Sequence, residues 1–174
     1  MSITTKRGDK GVTSLLFGGL DKKDSPRMEC CGALDELCSF LGLAKSVAKD
    51  KFAKALLEKV QNDLFVACSE VATKKSFIYK LNKRLGNNEI AYLESLTKAM
   101  EKKYISKRCS FILPGENTFS AMLDVARAAA RKAERKVVAL KREKILKNPF
   151  AIVYLNRLSD LLFLMARSYE KPKR

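Results

Sequence analysis

Apolar residues recur every three or four positions over five separate stretches of this chain, which is the pattern of amphipathic helices. Leu34, Leu37, Leu41 and Ala44 predict a helix from Arg27 to about Ala48. Phe52, Leu56, Val60, Leu64, Ala67 and Val71 predict a second from Asp50 to about Thr73. A third, capped by Asn87 or Asn88 and ending near Lys103, buries Ile90, Leu93, Leu96, Thr97 and Met100. The fourth, Asn117 to Lys141, has no Gly or Pro and at about 1.5 Å per residue would run roughly 37 Å. Its apolar stripe is Phe119, Met122, Ala126, Ala129, Ala133, Val137 and Leu140, and Arg127, Arg131, Glu134 and Arg135 form a second, polar stripe. Pro149 suits the first turn of a fifth helix reaching about Tyr169. That helix turns Ile152, Leu155, Ser159, Leu162 and Ala166 inward, with Asn156, Asp160 and Phe163 on a second line.

Long helices joined by short links predict an all-α fold, a five-helix up-and-down bundle forming a single domain. Residues 1–26 read as a loop-rich N-terminal arm and 27–170 as the helical bundle. Residues 74–86 stay open, since Phe77, Ile78 and Leu81 suit a strand, a short helix or an ordered loop. Residues 109–115, CSFILPG, read as an extended connector stopped by Pro114 and Gly115. There is no strand–helix alternation from which a Rossmann sheet could be built.

Composition narrows the chemistry. No stretch of about eighteen apolar residues exists, so no membrane span is expected, and the N-terminus lacks the apolar centre of a secretory signal. A cytoplasmic location is the expectation. The 5 cysteines (Cys30, Cys31, Cys38, Cys68, Cys109) are odd in number and without C-x-x-C spacing, and the chain has 0 histidines. Small buried thiols fit better than a zinc site or a disulfide framework. Ser-His and Cys-His nucleophiles are excluded outright. The net charge of +16 fits nucleic acid, an anionic small molecule such as a nucleoside triphosphate, or simply a solubilising lysine surface. Charge alone does not choose.

Three segments are more polar or more glycine-rich than packing requires. TKRGDKGVTS, residues 5–14, brings glycines that let a ligand approach the backbone, cationic Lys6, Arg7 and Lys10, and the hydroxyls of Thr13 and Ser14. Its spacing is not that of a Walker loop. The polar stripe of the fourth helix carries Arg131 and Arg135 one turn apart, and guanidinium groups grip phosphate oxygens bidentately. NRLSD, residues 156–160, offers in Asn156 both a donor and an acceptor for a base or ribose.

Together the blocks TKRGDKGVTSLLFGG (5–19), KDSPRMECCGALDEL (23–37), FILPG (111–115), RAAARKAER (127–135) and LNRLSDLLFLMAR (155–167) resemble the PduO-type ATP:cob(I)alamin adenosyltransferases. The resemblance spans most of the chain and keeps the family's order. It implies a homotrimeric bundle with ATP held between subunits. The ATP contacts it implies are Thr5, Lys6, Arg7, Gly8, Thr13, Ser14 and Lys23 from the arm, Arg131, Lys132, Ala133, Glu134 and Arg135 from the fourth helix, and Asn156 from the fifth. Arg127 matches an arginine that pairs with an aspartate, here Asp35, across the interface. Phe111 matches an aromatic residue under the corrin that keeps the lower axial ligand off cobalt. The reaction implied is attack of cob(I)alamin on C5′ of ATP, releasing triphosphate, with Mg²⁺ present. A cobalamin reductase and an adenosylcobalamin-dependent enzyme are the implied protein partners, with neither nucleic acid nor membrane. A basic nucleic-acid-binding module and a non-catalytic ATP/corrinoid carrier of the same fold are the alternatives. Departures from the family pattern are Arg7, Cys30, Cys31, Glu116 and Lys132.

Overall fold

The computed structural model describes residues 4, 6, 8–104 and 112–170. Five helices make the body: α1 (Pro26–Val47), α2 (Lys51–Val71), α3 (Asn87–Tyr104), α4 (Thr118–Arg142) and α5 (Phe150–Ser168). A small antiparallel hairpin, β1 (Val12–Ser14) and β2 (Leu20–Lys22), precedes them, pairing Val12 with Lys22 and Ser14 with Leu20. The arm is therefore more ordered than its glycines suggest. Residues 74–86, left open by periodicity, hold a short 3₁₀ helix over Lys75–Lys80.

Local chemistry sets the helix ends. Ser25 accepts from Met28 N–H and Pro26 opens α1, while Asp50 accepts from Ala53 N–H to start α2. Asn117 and Ser120 form a reciprocal capping box at the head of α4, so Asn117 is its cap rather than its first residue. At α3 the expected asparagine cap gives way. Asn87 is already helical, and the Glu89 carboxylate takes the Gly86 N–H at 3.1 Å. Pro149 stands just outside α5 as its cap position.

By adjacency the helices run α2, α1, α4, α5, α3, and α2 closes onto α5 through Tyr154, whose hydroxyl donates to Asp63 at 2.9 Å. Most of the predicted stripe residues are buried, while Leu96, Thr97, Met100, Phe119, Met122 and Ile152 are half-buried against them. Leu34, Leu37, Leu41 and Ala44 of α1, Leu56, Val60, Leu64, Ala67 and Val71 of α2, and Ala126, Ala129, Ala133, Val137 and Leu140 of α4 are all buried. Phe52 is 50% exposed, because the α2 seam starts at Ala53 and continues through Leu56 and Leu57. Alanines dominate the inner face of α4, which lets α1 and α5 approach it closely on both sides.

Two buried polar clusters lock the ends. Glu70 accepts from Leu85 N–H at 2.8 Å and from Asn148 at 2.8 and 2.9 Å, and the Asn148 carbonyl accepts the Phe150 N–H at 3.0 Å. At the other end Asp124 holds Arg127 at 2.9 Å and also pairs with Arg167 of α5.

Candidate nucleotide and corrinoid site

The hairpin is fastened to the end of α2. Leu16 N–H donates to Ala72 O at 3.0 Å, and the Arg27 guanidinium donates to the Val71 and Thr73 carbonyls while pairing with Asp21 at 3.4 Å. Arg27 was not among the sequence-predicted site residues. The available signal was electrostatic: a cation in the first turn of a helix opposes the macrodipole and needs another partner. Glycine is required at Gly19 by its positive φ, whereas at Gly8 a side chain would only displace the flexible end of Lys23. A Cβ on Gly19 (φ +93°) would lie 2.7 Å from Lys74 Nζ, and a Cβ on Gly8 would lie 2.7 Å from Lys23 Nζ.

Held this way, the arm encloses a concavity of about 700 Å³ lined by Lys6, Gly8, Lys10, Thr13, Ser14 and Lys23, among others. Three ammonium groups, two hydroxyls and a side-chain-free backbone facing one space suit a polyanion. Five of the predicted arm contacts thus come together. Thr5 and Arg7 lie outside the described residues. Lys10 joins the set as a lining residue.

The second concavity, about 290 Å³, lies where α4 meets α5. It is lined by Arg127, Arg131, Ser159, Asp160 and Phe163, and by Glu101 from α3. Arg131 and Arg135 are exposed, and among the described residues neither has an ion-pair or side-chain hydrogen-bond partner. Glu134 is half-buried and accepts from Asn156 Nδ2 at 3.3 Å, and the Asn156 carbonyl in turn accepts from Arg157 at 2.8 Å. The polar stripe of α4 and the polar line of α5 therefore do meet.

Two predicted contacts face elsewhere. Ala133 is fully buried in the core, so it offers no side chain to a ligand; the helical phase that puts Arg131 outside turns Ala133 inward. Lys132 leans toward α1 and pairs with Glu36 at 2.6 Å, as Lys136 does with Glu29 at 3.2 Å. Asp35 is exposed on α1 and lines a third concavity beside the hairpin, while Arg127 faces the α4–α5 groove. Within one chain Arg127 pairs with Asp124, and the two concavities of Asp35 and Arg127 share no lining residue. Phe111 lies outside the described residues, and so does Cys109; the other cysteines are free thiols. Among the described residues no group of three or more His, Cys, Asp or Glu is placed to hold a metal ion, and no helix is long and apolar enough to cross a membrane.

Known proteins share both the sequence and this arrangement. A corrinoid adenosyltransferase of Citrobacter freundii is 38% identical over 169 residues, covering 97% of this chain and 94% of its own length. One from Bacillus subtilis is 37% identical, covering 96% and 86%. Against the PduO protein of Salmonella typhimurium, 37% identical, the chain spans about half of the relative's length (49%). Among solved structures, a phenylalanine-to-alanine variant of a Lactobacillus reuteri PduO-type ATP:corrinoid adenosyltransferase, complexed with cobalamin and ATP, superposes with a TM-score of 0.88 at 32% identity, covering 95% of this chain and 92% of that one. An arginine-to-lysine variant complexed with ATP gives 0.87 at 33% identity, covering 96% and 93%. Residues 3–169 match the cobalamin adenosyltransferase family as a whole, and with fold, relatives and grooves in agreement the chain belongs to that family.

Proposed function

We propose that this protein transfers the 5′-deoxyadenosyl group of ATP to cob(I)alamin, forming adenosylcobalamin and releasing triphosphate. The observation that carries the reading is a pair of separate grooves, a cationic one on the arm and one between α4 and α5 where Arg127 and Arg131 stand beside Asp160 and Glu101. One is on the arm, built from Lys6, Gly8, Lys10, Thr13, Ser14 and Lys23; the other is on α4, where Arg131 is free of protein partners among the described residues. The reduced cobalt is the nucleophile: a Co–C5′ bond forms as the C5′–O bond breaks, and the electron pair leaves on triphosphate. No protein base is needed, which accords with a chain that has 0 histidines. The protein's work is placement and stabilisation of charge building on the leaving group. Glu134 and Asn156, already joined, are proposed to orient the nucleoside, and Arg131 and Arg135 to hold phosphates. Phe111 is proposed to occupy the lower corrin face.

The two grooves are proposed to meet between subunits of a homotrimer, with Asp35 pairing with Arg127 of a neighbouring subunit. Arg127 would then exchange part of its bond to Asp124 for one across the interface. Mg²⁺ is proposed to arrive on the triphosphate, whose oxygens suit it better than the scattered carboxylates of this chain. The free thiols support a cytoplasmic setting, where a cobalamin reductase would supply substrate and an adenosylcobalamin-dependent enzyme would take product. The nucleic-acid-binding and carrier readings are not favoured, because the relatives across the whole chain are named adenosyltransferases. The test is spectroscopic. Protein mixed with ATP, Mg²⁺ and chemically reduced cobalamin should yield the light-sensitive alkyl-cobalt spectrum; ATP binding without that spectrum would overturn the reading.

A further inference from the structure

Cys31 and Cys68 lie on adjacent helices, α1 and α2, and open into one concavity of about 490 Å³ together with Thr13, Lys23 and Asp35. Gly32 lines the same space, and nothing within 4 Å would meet a Cβ there, so the entrance beside Cys31 is open. Cys68 is half-buried and Cys31 nearly covered. The Cys31 thiol hydrogen-bonds to Cys68, which holds Cys68 below the usual thiol range and pushes Cys31 up. The neighbouring Cys30 is different: burial pushes it up to about 12, and it has no place in the concavity. The thiols are separate in this structure.

We propose that Cys31 and Cys68 form a reversible dithiol–disulfide modification site, oxidised by low-molecular-weight disulfides and shielded when a nucleotide occupies the arm. The shielding clause rests on the reading of Thr13 and Lys23 as ATP contacts. The exchange is balanced. Cys68, as thiolate, attacks a small disulfide RSSR to give Cys68–S–SR and release RS⁻. Cys31 then gives its thiol proton to the released RS⁻, forming RSH, and attacks the Cys68 sulfur, expelling a second RS⁻ and leaving the Cys31–Cys68 bond. Two electrons pass from the protein to RSSR. A bond between α1 and α2 at this point ties together the two helices on which the hairpin rests.

The test uses the full chain with glutathione disulfide as probe, followed by acid quench, alkylation and peptide mapping. The expected product is a Cys31–Cys68 cross-linked peptide, with Cys30 still alkylatable after unfolding, and thiols restored by dithiothreitol. Cys68→Ser and Cys68→Ala should each abolish the cross-link, whereas Cys30→Ser should leave it. Saturating ATP with Mg²⁺ should slow its formation at least about tenfold, with ATP binding measured separately by calorimetry on the same sample. A stable glutathione adduct on Cys68 with no cross-link, or a cross-link to Cys109 instead, overturns the site. Cross-linking at an unchanged rate in a sample shown to bind ATP overturns the shielding. Absence of ATP binding itself would count against the arm assignment rather than the thiol pair.

Discussion

Arg131→Ala separates function from folding more cleanly than any other change in this chain. Arg131 is exposed and spends none of its five donors on a partner among the described residues. Its loss should therefore leave stability within about 0.5 kcal/mol of the parent, a shift of under about 2 °C in a chain of this size. If it grips the triphosphate through two charge-assisted hydrogen bonds, truncation removes about 3 kcal/mol of binding, or roughly a hundredfold in Kd. Arg131→Lys keeps the charge and loses the planar fork, so an intermediate loss of about tenfold is expected.

Arg167→Ala is the matched control. Arg167 is 10% exposed and pairs with Asp124 and with Glu170 at 2.7 Å, so its removal takes this partner from the covered Glu170 carboxylate, leaves Asp124 with Arg127 alone and should cost about 3 kcal/mol of stability. Calorimetric titration with ATP and Mg²⁺, alongside thermal melting followed by circular dichroism, reads both quantities for all three variants. The assignment fails if Arg131→Ala binds ATP as the parent does. It also fails if its melting temperature falls as far as that of Arg167→Ala, since the side chain would then be structural.

Asn148→Ala should cost about 3 kcal/mol in urea unfolding, because it removes the amide facing the buried Glu70 carboxylate and the acceptor that takes the Phe150 N–H; a loss under about 1 kcal/mol would mean that water replaces it. Tyr154 is held well above the usual phenol range, first by burial and then by the nearby Asp63 charge. A raised folded-state value contributes stability that is complete below the unfolded pKa, about 10, and is lost as pH climbs toward the folded value, so the parent should lose urea stability above about pH 10 more steeply than Tyr154→Phe. Parallel curves would refute the linkage. Phe111→Ala should slow adenosylation while leaving the Kd for ATP within about threefold, as single-turnover spectroscopy and calorimetry can show; equal losses in both would remove Phe111 from the corrin face.

Helical periodicity made the five helices and one buried stripe of each readable, since burying one apolar face is what stabilises such helices, but it left out Leu57, Leu123, Tyr154, Leu158 and Leu161, which are buried beside those stripes. It failed where stability comes from long-range polar bonds. The hairpin has three-residue strands and owes its place to Leu16 and Arg27 bonding the end of α2, a dependence across the chain that no local window contains. The 3₁₀ helix over Lys75–Lys80 buries nothing fully and so leaves no apolar period. Within the candidate site, spacing put Arg131 and Arg135 on one face, and the structure keeps them there. Spacing could not assign Lys132, whose lean toward α1 follows from Glu36 being its neighbour. Ala133 was legible as a core position from its stripe, and its buried place in the structure agrees with that periodicity rather than with a nucleotide contact.

The separation of the two grooves is itself the physical argument for assembly. A triphosphate bound only to the arm meets ammonium groups and hydroxyls in open water, where point charges are screened and flexible. One bound only to α4 meets Arg131 in the α4–α5 groove and Arg135 on the exposed helix face, with solvent on its other side. Neither surface alone gives the water-poor setting in which fixed cations stabilise developing charge strongly. Placing the arm of one subunit against α4 of the next supplies both walls at once. In that arrangement the nucleotide's own negative charge would offset part of the repulsion between two strongly basic chains, +16 each. Asp35 and Arg127 line separate concavities of one chain, and in the proposed assembly each would meet the other's copy on a neighbouring subunit.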